Sequence, residues 1–223
     1  MLYAGTSGFS YSSWTGGFYP VGARRDELLA AYAQLLNAVE LHGAVQRLPS
    51  QSQFESWAEQ TPPGFRFAVK LSERITDQGQ LWLSATFCQR IRALGDRLGP
   101  ILVQLPDERP RDEGFLRLLL DSLDPGPHYA VELRDETWQT ESVAAIISEA
   151  GAALVGDLEG PAPFRYLRLR EPPYGDSDLR DLVARLAPQL DLGLDVFCFF
   201  KHEEDPRGAH YATRLLELAG RAP

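Results

Sequence analysis

Seven polar residues close five short apolar runs in this chain. Glu40 ends AVEL at 38–41, Lys70 ends FAVK at 67–70, and Gln104 ends ILVQ at 101–104. Glu132 and Arg134 end AVELR at 130–134, and Arg168 and Arg170 end YLRLR at 166–170. A sixth run, LYAGTS at 2–7, delivers Thr6, Ser7 and then Gly8. Two carboxylates set against a lysine and arginines are the inventory of general acid–base work on an anionic substrate. Glu40, Lys70 and Glu132 are therefore the catalytic candidates, with Lys70 also a candidate Schiff-base amine. Thr6, Ser7, Gly8, Gln104, Arg134, Arg168 and Arg170 are the ligand-binding candidates, the arginines as anion holders. Ser7 as a nucleophile lacks any motif that supplies its base.

What must position these residues is a repeated strand–helix unit. From Thr6 the run endings step to Glu40, Lys70, Gln104, Glu132 and Arg168, each about 30 residues on, the length of one such unit. Helical stripes lie between, over Arg24–Leu36, Ser50–Gln60, Leu81–Leu98, Asp112–Leu123, Thr140–Ala150, Asp176–Leu190 and Asp205–Leu218. Two further strands are expected at Ala152–Val155 and Leu194–Phe200. After the first of these, Gly156–Pro163 is too short and too rich in Gly and Pro for a helix. Eight strands alternating with helices predict an α/β fold, a TIM-like (β/α) barrel of parallel strands with the helix after strand six replaced by a loop. No linker-like stretch interrupts the cadence, so residues 1–223 are expected to form one domain. The first strand is not followed by a GxGxxG or GxxxxGK[ST] loop, which removes the commonest dinucleotide and P-loop readings.

Strand side chains alternate faces. The outer face of a barrel is covered by helices, so Val39, Leu41, Phe67, Val69, Ile101, Val103, Val131, Leu133, Leu167 and Leu169 should point outward. The opposite parity then sends Glu40, Lys70, Gln104, Glu132, Arg134, Arg168 and Arg170 inward at the carboxyl ends of the strands, where barrel enzymes place their sites. Counted alone, those seven make a net-basic mouth on a protein of net charge −9, which suggests a phosphate- or carboxylate-bearing partner. The alternative is a set of internal ion pairs, Glu40–Lys70 and Glu132–Arg168, plugging the barrel top.

Metal binding has weak support, and no cofactor is predicted. His42 and His202 lie at strand ends with Glu40, Glu132 and Asp157 as the only possible partners, while His128 and His210 read as structural. Cys88 and Cys198 read as buried reduced thiols. The first strand starts directly after Met1 and no apolar run approaches membrane-spanning length, so a cytoplasmic protein without membrane contact is expected. The aromatic, Gly-rich segment Phe9–Tyr19 could cradle an anion and stack on a base or sugar, or simply pack over the barrel end.

These same stretches carry a family resemblance. GTSGFSYSSWTGGFYP at 5–20, VEL and RLPS between Val39 and Ser50, FAVKLSERIT at 67–76, LGPILVQLP at 98–106 and AVELRDETW at 130–138 resemble the YecE-like family, the domain of unknown function numbered seventy-two. Weaker echoes continue to Leu218. The resemblance implies a TIM barrel and no established activity. The charged skeleton matches the family pattern, whereas the rim departs from it at His42, Asp77, Arg170, Lys201 and His202. Such a rim implies either another ligand or a lost activity. Two function classes follow: a small-molecule enzyme or binder for an anionic compound, and a nucleic-acid-binding or endonuclease-IV-like protein. The acidic surface and the lack of basic runs favour the first.

Overall fold

A computed structural model describes residues 1–42, 48–107, 109–201 and 205–220. The expected eight strands are present as β1 (Leu2–Thr6), β2 (Ala38–Leu41), β3 (Arg66–Lys70), β4 (Leu98–Gln104), β5 (Tyr129–Glu132), β6 (Ala153–Leu154), β7 (Phe164–Leu169) and β8 (Asp195–Phe200). All paired strands are parallel. The helices are α1 (Leu28–Ala33), α2 (Gln51–Glu59), α3 (Glu73–Thr76), α4 (Ser84–Ile91), α5 (Glu113–Asp121), α6 (Glu141–Glu149), α7 (Asp176–Asp191) and α8 (Arg207–Leu218). Ser50, Asp112 and Thr140 cap α2, α5 and α6 by accepting the backbone N–H three residues on. No helix separates β6 from β7. There Asp157 Oδ1 accepts the N–H groups of Glu159 and Gly160 and turns the chain directly back.

One expected helix, Leu81–Leu98, is shorter than its pattern. It breaks at Gly95, whose φ is 53°, and Leu98 already belongs to β4. Gly99 and Pro100 therefore lie inside the strand rather than marking the end of the helix. A Cβ on Gly99 would meet Phe67 O at 3.2 Å, so the close approach of β3 explains the glycine.

The strands form a five-stranded sheet, β2-β3-β4-β5-β6, and a three-stranded one, β1-β8-β7, curled into a TIM-like (β/α) barrel. Between β6 and β7 a backbone bond from Gly156 N to Tyr166 O, 2.9 Å, spans the gap. Between β1 and β2 side chains do most of the joining. Asn37 accepts from Ala4 N through Oδ1 at 2.9 Å and donates from Nδ2 to Leu2 O at 3.0 Å. Two residues up β1, the Tyr32 hydroxyl accepts from Thr6 N at 2.8 Å and donates to Ala38 O at 3.0 Å. Only above these does a direct ladder bond form, from Gly8 N to Glu40 O at 2.9 Å. A Cβ on Gly5 would fall 1.8 Å from Ala38 O, so glycine is required at that crossing.

The interior is filled asymmetrically. Ala38, Ala68, Ala130 and Ala153 point in from β2, β3, β5 and β6 with Leu102 from β4 between them, and Tyr3, Phe164, Tyr166, Phe197 and Phe199 fill the space from β1, β7 and β8. Small residues on one wall and rings on the other pack a narrow barrel without voids. His128 closes the lower end, stacked on Phe164 at 4.8 Å between ring centroids, which bears out its structural role. Cys88 and Cys198 are both buried free thiols. Among the described residues, no helix is long and apolar enough to cross a membrane.

The side-chain seam yields a test. In Tyr32→Phe, Thr6 N–H loses its buried acceptor and Ala38 O its donor, at a cost of about 1–3 kcal/mol. Urea unfolding should report that loss while far-UV circular dichroism stays unchanged; a midpoint within error of wild type would mean that the seam carries no load.

Candidate functional site

Arg168, from the upper end of β7, lies at the centre of the barrel mouth with only 2% of its side chain exposed. Its guanidinium reaches three other strands. Nη2 donates to Glu40 Oε1 on β2 at 2.8 Å, and Nη1 donates to Gln104 Oε1 on β4 at 3.1 Å and to Glu132 Oε2 on β5. Parity explains why these groups meet. They project from the layer directly above the alanine-and-ring layer, and Gln104 and Glu132 are register partners on adjacent strands.

Glu40 is fully buried and its two oxygens are divided among three donors. Oε1 takes Arg168 and His42 Nε2, the latter at 2.9 Å, and Oε2 takes the Tyr166 hydroxyl at 2.7 Å. Burial alone would raise its pKa, but the bond from His42, the charge of Arg168 and the Tyr166 hydroxyl outweigh it and hold Glu40 below the usual glutamate range. Burial likewise works against the charge on Arg168, and Glu40 and Glu132 more than offset it, moving its pKa up. The Tyr166 hydroxyl is pushed far up, by burial first and then by the neighbouring Glu40 charge, so it remains a donor. An ionised carboxylate only accepts, so His42 Nε2 carries the proton toward Glu40. In the neutral ring Nδ1 is then the proton-accepting atom.

The remaining expected residues stand further out or elsewhere. Lys70 Nζ pairs with Glu73 at 3.0 Å, not with Glu40. Arg134 binds both oxygens of Asp107 at 3.0 Å, and its Nε lies 3.7 Å from Glu132 Oε1. Ser7 is buried, with Oγ 3.5 Å from Phe200 O, and Gly8 caps the β1–β2 seam. Thr6 turns outward instead: its Oγ1 donates to Gly8 O at 2.7 Å and contacts the Tyr32 hydroxyl at 3.0 Å, which removes it from the mouth. Arg170 keeps the inward parity, and its buried Nε has no hydrogen-bond partner, as is also true of Arg168 Nε. Asp77 is an exposed residue closing α3, Lys201 is exposed, and His202 lies outside the described residues.

Two expectations need correction. Of the two ion pairs anticipated within the barrel, Glu132–Arg168 is present, but Glu40 pairs with Arg168 as well and Lys70 takes Glu73 instead. The excess of positive charge also disappears once Glu73 and Asp107 are counted: four bases, Lys70, Arg134, Arg168 and Arg170, face four acids, Glu40, Glu73, Asp107 and Glu132. Sequence reading missed Glu73, the first residue of α3, and Asp107, in the loop after β4. It also missed Tyr166, although the parity that turned Arg168 inward places Tyr166 on the same face. Among the described residues, no three His, Cys, Asp or Glu side chains are grouped as metal ligands.

The aromatic segment is mostly packing. Trp14 stacks on Tyr19, Phe18 packs on Tyr32 of α1 and on His210 of α8, and Trp14 and Tyr19 are buried. Tyr11 differs, because it borders a cavity of about 720 Å³ beside the cluster, between the loop after β1 and α2. His42 belongs to both places, lining the cavity and bonded to Glu40.

Parallel strands, a filled interior and polar groups gathered at the carboxyl ends define a (β/α) barrel protein with its candidate site at the usual mouth. The family model described as "Protein of unknown function DUF72" matches residues 3–223, and the chain belongs to that family. A crystal structure of a DUF72 family protein from Thermotoga maritima MSB8 is similar at 24% identity and a TM-score of 0.80, over 99% of this chain and 100% of that one. A DUF72 family protein from Enterococcus faecalis V583 is similar at 18% identity and a TM-score of 0.81, over 100% and 97%. A D-psicose 3-epimerase shares the fold at 10% identity and a TM-score of 0.53, over 89% of this chain and 91% of that one. No curated protein matches the sequence.

The buried network predicts a stability phenotype with a defined pH dependence. Arg168→Met leaves two carboxylates without their cation and should cost about 3–5 kcal/mol at neutral pH. In the wild type the Glu40 pKa is depressed, so its contribution is full above the unfolded-state value and is lost as pH falls through the folded one. Without Arg168, burial raises the Glu40 pKa, and the mutant should recover part of its deficit as pH falls toward 4. Urea unfolding across pH 4–7 distinguishes the cases; a deficit independent of pH would contradict the electrostatic account.

Proposed function

We propose that this protein binds and turns over a small anionic ligand, bearing a phosphate or carboxylate, at the mouth of the barrel. The observation that carries the reading is the pair of buried guanidinium Nε–H donors on Arg168 and Arg170 that have no acceptor. An unsatisfied buried donor costs about 1–3 kcal/mol, so these two mark a place for an acceptor oxygen. The ion pairs Lys70–Glu73 and Arg134–Asp107 are partly exposed, and exchanging a surface carboxylate for a ligand's anion costs little. The overall charge balance does not oppose this reading, because the local donors decide where an anion sits.

Proton transfer falls to His42 and Glu132. Glu40 is saturated with donors and held ionised, so it orients His42 and Arg168 rather than shuttling a proton itself. Glu132 keeps part of its carboxylate at the surface of the mouth, and His42 faces the cavity. A ring nitrogen held by a carboxylate and a second, more exposed carboxylate supply the two groups that acid–base chemistry needs.

Inorganic phosphate and small organic acids should raise the thermal midpoint of the wild type. Losing one charge-assisted hydrogen bond, worth ~1.5–3 kcal/mol, should weaken anion binding in Arg170→Ala by roughly tenfold or more. Calorimetric titration and anion-soaked crystals check this, with the anion expected against Arg168 and Arg170. Flat profiles for every small anion, together with salt-sensitive oligonucleotide binding lost in Arg168→Ala, would instead support a nucleic-acid function.

A further inference from the structure

The cavity beside the charged mouth has a lining that the anion does not need. One wall is α2 with its C-terminal residue Gln60, which presents Gln53, Ser56, Trp57 and Gln60 at i, i+3, i+4 and i+7 while Phe54 turns into the core. The facing wall carries Tyr11, and the floor is Leu41 with His42. Tyr11 is fixed in place: its hydroxyl donates to Ser7 O at 2.9 Å, and a Cβ on Gly8, at φ +95°, would lie 2.3 Å from that hydroxyl. An amphipathic helix that covers a barrel ordinarily spends such a stripe on the core or on solvent. Here it walls a hollow whose inner end is His42.

We propose that this cavity holds the polyhydroxylated body of the ligand whose anionic group sits at Arg168 and Arg170, so that the ligand is a sugar phosphate or sugar acid. The inference rests on the anionic reading of the mouth for the position of the charged group, and on the cavity alone for the sugar. Amides and hydroxyls each both donate and accept, as sugar hydroxyls do, and the cavity supplies two amides, two serines and a tyrosine. Gln60 Nε2 donates to Ser56 Oγ at 2.9 Å, which orients the serine hydroxyl hydrogen and the Gln60 carbonyl oxygen for a partner. Half-buried aromatic rings offer apolar faces for the C–H side of a pyranose or furanose. The two lining rings Phe9 and Trp57 stand at 88° to one another and so do not form a slot for a flat base. The volume, about 720 Å³, is that of a small-molecule site. His42 joins the two halves, because the ring that lines the cavity is bonded to the carboxylate that Arg168 grips.

Calorimetric titration with glucose 6-phosphate, ribose 5-phosphate, inorganic phosphate, methyl glucoside and adenosine monophosphate separates the two halves. Inorganic phosphate reads the cationic mouth alone, and methyl glucoside, followed by NMR at the Trp57 indole N–H, reads the cavity alone. A sugar phosphate should bind at least about tenfold tighter than inorganic phosphate. Trp57→Ala and the exposed-side variant Gln53→Ala should erase that advantage and leave phosphate affinity unchanged. Gln53→Ala keeps the test valid if Trp57→Ala unfolds. Sugar phosphates that bind no tighter than phosphate, no indole shift with methyl glucoside, or a preference for adenosine monophosphate would overturn the sugar assignment while leaving the anion site standing. Failure of inorganic phosphate with a persistent methyl glucoside shift would overturn the anion site and leave a neutral-sugar cavity.

Discussion

A guanidinium enclosed at the centre of a barrel is tolerable only if its charge is answered on the spot, and much else in the upper barrel follows from answering it. Arg168 needs carboxylates on opposite walls, so β2 and β5 carry Glu40 and Glu132 at matching heights. Glu40, being the deeper, needs further donors, which Tyr166 and His42 provide. Below this layer alanines and rings fill the interior, with Arg66 over the Tyr3 ring and His128 on the Phe164 ring. The network therefore acts as a polar lid on an apolar plug and holds the mouth groups in one geometry.

That division assigns different work to residues of the same type. Glu40 and Glu132 have the same side chain and share the same arginine, yet one is fully buried and bonded to three donors while the other keeps 11% of its side chain exposed. The environment, not the residue type, sets the two carboxylates apart. The arginines divide in the same way: Arg168 is occupied by protein carboxylates on its terminal nitrogens, while Arg170 brings an unanswered donor to the same face.

Much of this was legible in the residues. The periodic run endings marked the strands, alternation of side chains put Glu40, Gln104, Glu132 and Arg168 on one face, and the Gly/Pro-rich stretch after β6 marked the missing helix. Partnership was legible only for Glu132 and Arg168. Lys70 lies closer in sequence to Glu73, across one tight turn, than to any strand-end carboxylate, and a turn's geometry is invisible to strand parity. Thr6 was misplaced for a related reason: the strand-end rule gives height along the barrel, whereas the face of Thr6 is set by the Tyr32 hydroxyl outside it. The cavity was out of reach because it depends on how α2 is docked, a long-range packing outcome.

The join between β1 and β2 also bears on the cavity. Its walls spring from the loop after β1 and from the end of β2 with the helix that follows, so their separation is fixed by what holds those two strands apart. In most of a barrel that spacing is a property of the peptide backbone and is the same for every sequence. Here it is set by an asparagine amide and a tyrosine hydroxyl inserted between the strands. The width of the cavity is thus written in two side chains that do not line it, and evolution can retune it there without altering a single lining residue.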